Sequence, residues 1–216
     1  MSTFKELRDK ARLEPRRFYA FRVMPSGKTV RLTPFGLKTF GVTALEWQRN
    51  RAKARGWRII VKKVATSADQ RRRDEIVAEA RSALAFEKAI HYRQSRPFPV
   101  MAFERDDYPI WTDCSGSLTM LYRAAGFKDP NGRDYDGLGY TGTLRTASPL
   151  VLFSKLQPGD FIVYGRGTGT HVVMVMQGGD DPIVWSHGQE NGPRLYRHSV
   201  QVAAHGSYFT CHGPRK

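Results

Sequence analysis

The most regular hydrophobic rhythm in the chain is helical. After Cys114, Leu118, Leu121, Tyr122 and Ala125 recur at i, i+3, i+4 and i+7, which gives a helix one apolar face to pack on a core. Asp113 stands where an N-cap belongs, and Gly126 stands where the helix must stop. A second helical pattern spans residues 69–90, with Ile76, Ala80, Ala83, Leu84 and Ile90 on one side. Its Arg71-Arg72-Arg73 opposes the helix dipole, so these arginines are expected to serve a surface contact or to face water. Arg96-Pro97-Phe98-Pro99 then breaks the rhythm. Further on the pattern shortens to strand length. Pro158-Gly159-Asp160 opens an apolar run to Tyr164, His171 opens a run to Met176, and Ile183 to Ser186 follows a Gly178-Gly179-Asp180-Asp181 turn. Nearer the start, Phe18 to Val23 and Thr29 to Leu32 read as strands around a Pro25-Ser26-Gly27-Lys28 turn. Ala44 to Arg55 reads as a helix closed by Gly56, and Trp57 to Val64 as another strand. The elements predict an α+β chain in two parts: a small ββαβ module over 1–68, and a larger domain over 69–216.

Charge sharpens that division. The 216 residues carry 35 Lys+Arg against 20 Asp+Glu, a formal net of +15. Residues 1–70 hold 17 basic and 5 acidic side chains, net +12, whereas the remainder is nearly balanced at +3. A field of that sign attracts a polyanion: nucleic acid, anionic lipid or anionic wall polymer. Hydrophobic residues make up 40% of the chain, enough to bury a core and to exclude wholesale disorder. No run approaches the roughly 20 apolar residues of a membrane span. The charged start, Met1 to Lys10, has no apolar h-region, so the expectation is synthesis in the cytoplasm without a signal peptide.

Two cysteines, Cys114 and Cys211, make no disulfide framework and no all-cysteine zinc site, and the six histidines are scattered. No metal is expected. Chemistry is concentrated in Trp111-Thr112-Asp113-Cys114-Ser115-Gly116-Ser117. Cys114 falls in the first turn of a helix, where unpaired N–H groups and the positive dipole end favour a thiolate and can receive an oxyanion. A cysteine nucleophile needs a base. His171, at the mouth of a Val-rich strand after a Gly/Thr loop, is the candidate. If Gln177 pairs with Pro182 across the hairpin, His171 lies opposite Gly188; a one-residue bulge at the glycines sets it opposite His187. In either register His187 is close enough to orient the base. Cys211 beside His212 mimics a dyad only superficially, because neighbours on a strand point to opposite faces. The run Gly137 to Gly142 fits Gly-x-Gly-x-x-Gly but follows a polar segment instead of a strand, which argues against a dinucleotide site.

Asp113-Cys114-Ser115-Gly116, Leu156 to Asp160 with His171-Val172-Val173, and Val184 to His187 together resemble the NlpC/P60 family of papain-like cysteine peptidases, over about residues 71–210. Asp129-Pro130-Asn131-Gly132, Gly139 to Thr143 and Ser186 to Glu190 look like the lysins and tail-associated hydrolases of phages of actinobacteria. The resemblance implies a papain-like fold and a Cys114–His171–His187 set. It also implies cleavage of a peptide or amide bond in peptidoglycan, such as the γ-D-glutamyl–diaminopimelate bond, without a cofactor. The family's oxyanion Tyr corresponds loosely to Tyr92, and Asp113 and Ser115 flank the nucleophile. Such an enzyme, lacking a signal peptide, is expected to reach the wall through a holin or inside a virion, with residues 1–68 holding anionic wall polymer. The rival from another class is a nucleic-acid-binding or virion structural protein on the same fold, supported by Trp47, Trp57 and the Arg-rich segments of the basic module.

Overall fold

The computed structural model describes the strands Phe18–Val23, Thr29–Arg31 and Arg58–Lys63 and residues 68–215, apart from 190 and 191. The chain divides into two compact units, Arg12–Asp69 and a larger one that holds Gln70–Lys216. In the smaller unit β1 (Phe18–Val23) pairs antiparallel with both β2 (Thr29–Arg31) and β3 (Arg58–Lys63), giving the order β2-β1-β3. The helix expected over 44–55 lies outside the described residues.

Nearly all of α1 (Ala68–Ala85) belongs to the larger unit, and its Ile76, Ala80 and Ala83 are buried as the helical spacing demands. The helix stops before Ile90, which the sequence pattern had included. Ile90 instead opens β4 (Ile90–Tyr92), paired in parallel with β5 (Ile110–Thr112), and is itself fully buried there. Tertiary pairing overrides the helical period at this point. Between them lies α2 (Ala102–Arg105). Then come α3 (Cys114–Ala124) and α4 (Thr141–Ala147). A five-stranded antiparallel sheet follows, built from β6 (Phe161–Tyr164), β7 (His171–Gln177), β8 (Ile183–Ser186), β9 (Arg194–Arg197) and, after α5 (His198–His205), β10 (Phe209–His212). Its order is β10-β6-β7-β8-β9.

Alternation along these strands makes two cores. Phe161, Val163, Val172, Met174 and Trp185 face a large core with α1 and with Leu118, Leu121 and Tyr122 of α3. Ile162, Tyr164, Val173, Val175, Val184 and Cys211 face a smaller one on the other side. Cys211 and His212 therefore diverge: Cys211 packs in the smaller core, while the His212 ring stacks on Phe161 at 5.3 Å. Trp185, 1% exposed, donates its indole N–H to the Ala80 carbonyl and so fastens α1 to the sheet.

The arginine triplet of α1 splits in role. Arg71 and Arg72 are exposed, but Arg73 donates to the Pro158 carbonyl and pairs with Asp160 Oδ1 at 2.8 Å. Asp160 Oδ2 accepts from the Gln157 N–H, and the Gly159 carbonyl accepts from the Tyr122 hydroxyl. The Pro-Gly-Asp turn before β6 is thus tied to both α1 and α3. Gly159 holds φ +89, a backbone conformation that side-chain-bearing residues rarely adopt. Among the described residues no helix is long and apolar enough to cross a membrane.

Candidate active site

Cys114 is the first residue of α3. Asp113 caps the helix: its Oδ1 accepts from the Gly116 N–H and the Ser115 hydroxyl, both at 2.8 Å. Its Oδ2 accepts from Arg96 Nη2 at 2.8 Å, and the same nitrogen donates to Ser115 Oγ. Arg96 is held in turn by donating Nε to the Gly139 carbonyl. The Asp-Cys-Ser triplet is therefore a rigid start with a guanidinium locked over it. Gly116 is required by space, because a Cβ there would collide with Thr112 Oγ1 and crowd the Phe98 ring at 3.2 Å.

The thiol opens onto a cleft of about 390 Å³ lined by Gln94, Arg96, Cys114, Tyr140, Thr141 and Thr170, among others. One wall comes from the loop before α4, and it is anchored by the Asp129-Pro130-Asn131-Gly132 segment. Asp129 accepts from the N–H groups of Asn131, Arg133 and Tyr135. Asn131 donates to Thr119 Oγ1 of α3 and accepts from Thr143 Oγ1 of α4. Gly139 packs so closely on Asn131 that a Cβ there would collide with its amide. This network delivers Tyr140 to the cleft rim, whereas Trp185 is core. The Gly137 to Gly142 run is likewise the loop entering α4, and no strand precedes it.

The electrostatics of Cys114 differ from a bare helix start. Burial and the Asp113 carboxylate raise the thiol from 9.0 to about 12, against the N–H groups of Val172 and Ser115 and the Arg96 charge, which lower it. At 6% exposure, desolvation outweighs the dipole. His171 moves the opposite way, from 6.5 to about 3, through burial and the neighbouring His205 and His187. The resting pair is therefore a neutral thiol and a neutral imidazole.

His171 opens β7, and Val173 stands opposite Ser186 in the β7–β8 register, with a bulge between Val175 and Gln177. That register, continued past the end of β8, aligns His171 with Gly188 and Val172 with His187. The bulge lies in β7 and not at the glycines. His171 Nε2 bonds Ser186 Oγ at 2.9 Å, and the ring stacks on His205 of α5 at 4.4 Å. The N–H of Val172, one residue beyond His171, bears on the Cys114 thiol and favours its ionised form. Among the described residues the thiol and the His171 ring share no hydrogen bond. His187 is fully buried and stacks on Tyr92 at 5.8 Å and on Trp185 at 6.4 Å. Tyr92 pairs with Thr112 across the β4–β5 register, and its hydroxyl accepts from Gln94 Nε2. Tyr92, His187 and Cys114 are thereby gathered at one end of the large core. Sequence reasoning passed over Gln94, Arg96 and Ser186. The polar Gln94 and Arg96 just before a Pro-rich break were the available signal, and Ser186 sat unremarked inside a motif read for its histidine.

No family model matches the chain, and no curated protein matches it in sequence. Among solved structures it is similar to the NlpC/p60 domain of the peptidoglycan hydrolase SagA, at 22% identity and TM-score 0.42, over 64% of this chain and 96% of that one. An NlpC/P60 family protein from Bacillus cereus overlaps 94% of this chain and 65% of its own length, at 12% identity and TM-score 0.45. The peptidoglycan hydrolase RipB from Mycobacterium tuberculosis overlaps 81% of this chain and 87% of its own, at 17% identity and TM-score 0.38. Overlaps of this size define neither activity nor substrate.

Proposed function

We propose that the chain is a cysteine-dependent hydrolase of a peptide or amide bond in peptidoglycan. The observation that carries this reading is the placement of Cys114: first turn of a helix capped by Asp113, with the thiol on a cleft. His171 is the base in this reading, with His187 as the adjacent imidazole. Because thiol and imidazole both rest neutral, the proton leaves Cys114 for His171 as sulfur attacks the carbonyl, instead of standing on the ring beforehand. Contacts of this kind are often long in an empty site and tighten when substrate is bound. Main-chain N–H groups at the start of α3 receive the oxyanion, with Tyr92 and Gln94 beside them. His171 then returns the proton to the leaving amine, and water releases the acyl group from Cys114.

The substrate class rests on the resemblance of the Asp113 to Gly116, Pro158 to Asp160, His171 and His187 segments to NlpC/P60 peptidases. A phage lysin or virion-borne role, and the γ-D-glutamyl–diaminopimelate bond, are the finer form of the same proposal. Digestion of purified diaminopimelate-type peptidoglycan tests it. New amino groups without new reducing ends are the expected products, and reducing ends alone would mean a glycosidase.

A further inference from the structure

The carboxylate that caps α3 lies beside the nucleophile it presents. Asp113 is 5% exposed and immediately precedes Cys114, so its negative charge opposes charge on the sulfur. The helix start nonetheless needs this cap, because Asp113 Oδ1 holds the Gly116 N–H and the Ser115 hydroxyl. Arg96 supplies the opposite charge at the other oxygen, with Nη2 2.8 Å from Oδ2. Resting on the cysteine-hydrolase reading, we infer that Arg96 is a positioning residue: its guanidinium offsets the Asp113 carboxylate, so that negative charge can form on the Cys114 sulfur as it attacks.

The guanidinium is fixed in place from several sides. Arg96 comes from the segment between β4 and α2. Its Nε donates to the Gly139 carbonyl, Nη1 to the Ser95 carbonyl, and Nη2 to Asp113 and Ser115. Its Cζ lies 5.0 Å from the centre of the Phe98 ring, a buried side chain that also limits the space at Gly116. All three nitrogens are engaged by the protein itself, which suits a fixed counter-charge better than a receptor for a substrate anion. The charged groups that bear on the thiol are Asp113, which disfavours its ionised form, and Arg96, which favours it. Ser115 of α3 and Val172 of β7 contribute N–H groups. A guanidinium keeps its charge throughout the working pH range, so the offset does not lapse as pH rises. In a site this poor in water the two opposed charges act on the sulfur with little screening.

The test is alkylation of Cys114 by iodoacetamide in the full chain, a readout that needs no turnover. Peptide mapping follows Cys211 alongside, which is buried in the smaller core and should stay slow in every folded variant. At a fixed pH between about 7 and 9, Arg96→Gln should slow the labelling of Cys114 roughly tenfold. Asp113→Asn, whose side chain still caps the helix, should speed it. The double variant Arg96→Gln/Asp113→Asn should recover the wild-type rate or exceed it, although the clamp is gone; a purely structural role for Arg96 gives no such recovery. Labelling of folded Arg96→Gln at the wild-type rate or faster overturns the inference, and so does a double variant as slow as Arg96→Gln. Where Arg96→Gln does not fold, Asp113→Asn decides alone, and labelling no faster than in the wild type overturns the inference. Loss of hydrolysis in Arg96→Gln at an unchanged labelling rate would make Arg96 a substrate contact and likewise overturn it. Absence of hydrolysis by the wild type would instead remove the underlying reading, and the labelling rates would still report the charge balance at the thiol.

Discussion

At the scale of single residues, the site is governed by burial. A cysteine at a helix start is ordinarily expected to be acidic, but Cys114 is desolvated and stands beside the Asp113 carboxylate, which together push it up to about 12. His171 is pushed down to about 3 by the same loss of water and by two histidine neighbours. A standing thiolate–imidazolium pair would require the two values to cross, and here they are far apart. Alkylation of Cys114 by iodoacetamide, followed by peptide mapping to separate it from Cys211, should therefore accelerate roughly tenfold per pH unit between about pH 6 and 9. A flat rate over that range would reveal a pre-formed ion pair and contradict the neutral resting state. The sequence placed Cys114 and Asp113 at a helix start and His171 at a strand start, as the structure has them. It did not reveal the direction of the thiol shift, because burial is a property of the folded neighbourhood. Nor did it reveal Ser186, because that side chain reaches His171 diagonally across the β7–β8 pair and not from the position opposite it.

At the scale of elements, the first turn of α3 is where packing and chemistry share atoms. Gly116 accommodates Thr112 and Phe98 against the helix that presents Cys114. Gly116→Ala is expected to destabilise the chain by about 1–3 kcal/mol through overpacking, despite the better helix propensity of alanine. Thermal or urea unfolding measures it, and unchanged stability would mean that β5 and the Phe98 segment yield easily. The helix itself was legible from its i, i+3, i+4, i+7 apolar spacing, and so were strands β6, β7 and β8 from their turns. β4 was not. Its three residues continue the apolar period of α1, and only pairing with β5 makes them a strand. The anchoring of the Tyr140 loop was also hidden, because the partners of Asn131 lie on α3 and α4, far from it in sequence.

At the scale of the whole molecule, charge is divided unevenly between residues 1–70, net +12, and the rest, net +3. The proposal for residues 1–68 is attraction to anionic wall polymer, an interaction screened over ~8 Å at physiological salt. A chain reduced to residues 69–216 should still cleave soluble muropeptides but bind intact walls poorly, and wall binding by the full chain should fall steeply with salt. Tight binding of nucleic acid at ~0.15 M salt by residues 1–68 alone, with wall binding unaffected by their removal, would favour the nucleic-acid rival. The central claim is that Cys114 forms and breaks the bond to substrate, and the most direct measurement of it is release of amino groups from purified peptidoglycan by Cys114→Ala. Alanine suits a helix start capped by Asp113, so the variant should unfold at a temperature close to that of the wild type. The account predicts no measurable release from this folded variant. Release at the wild-type rate would contradict it.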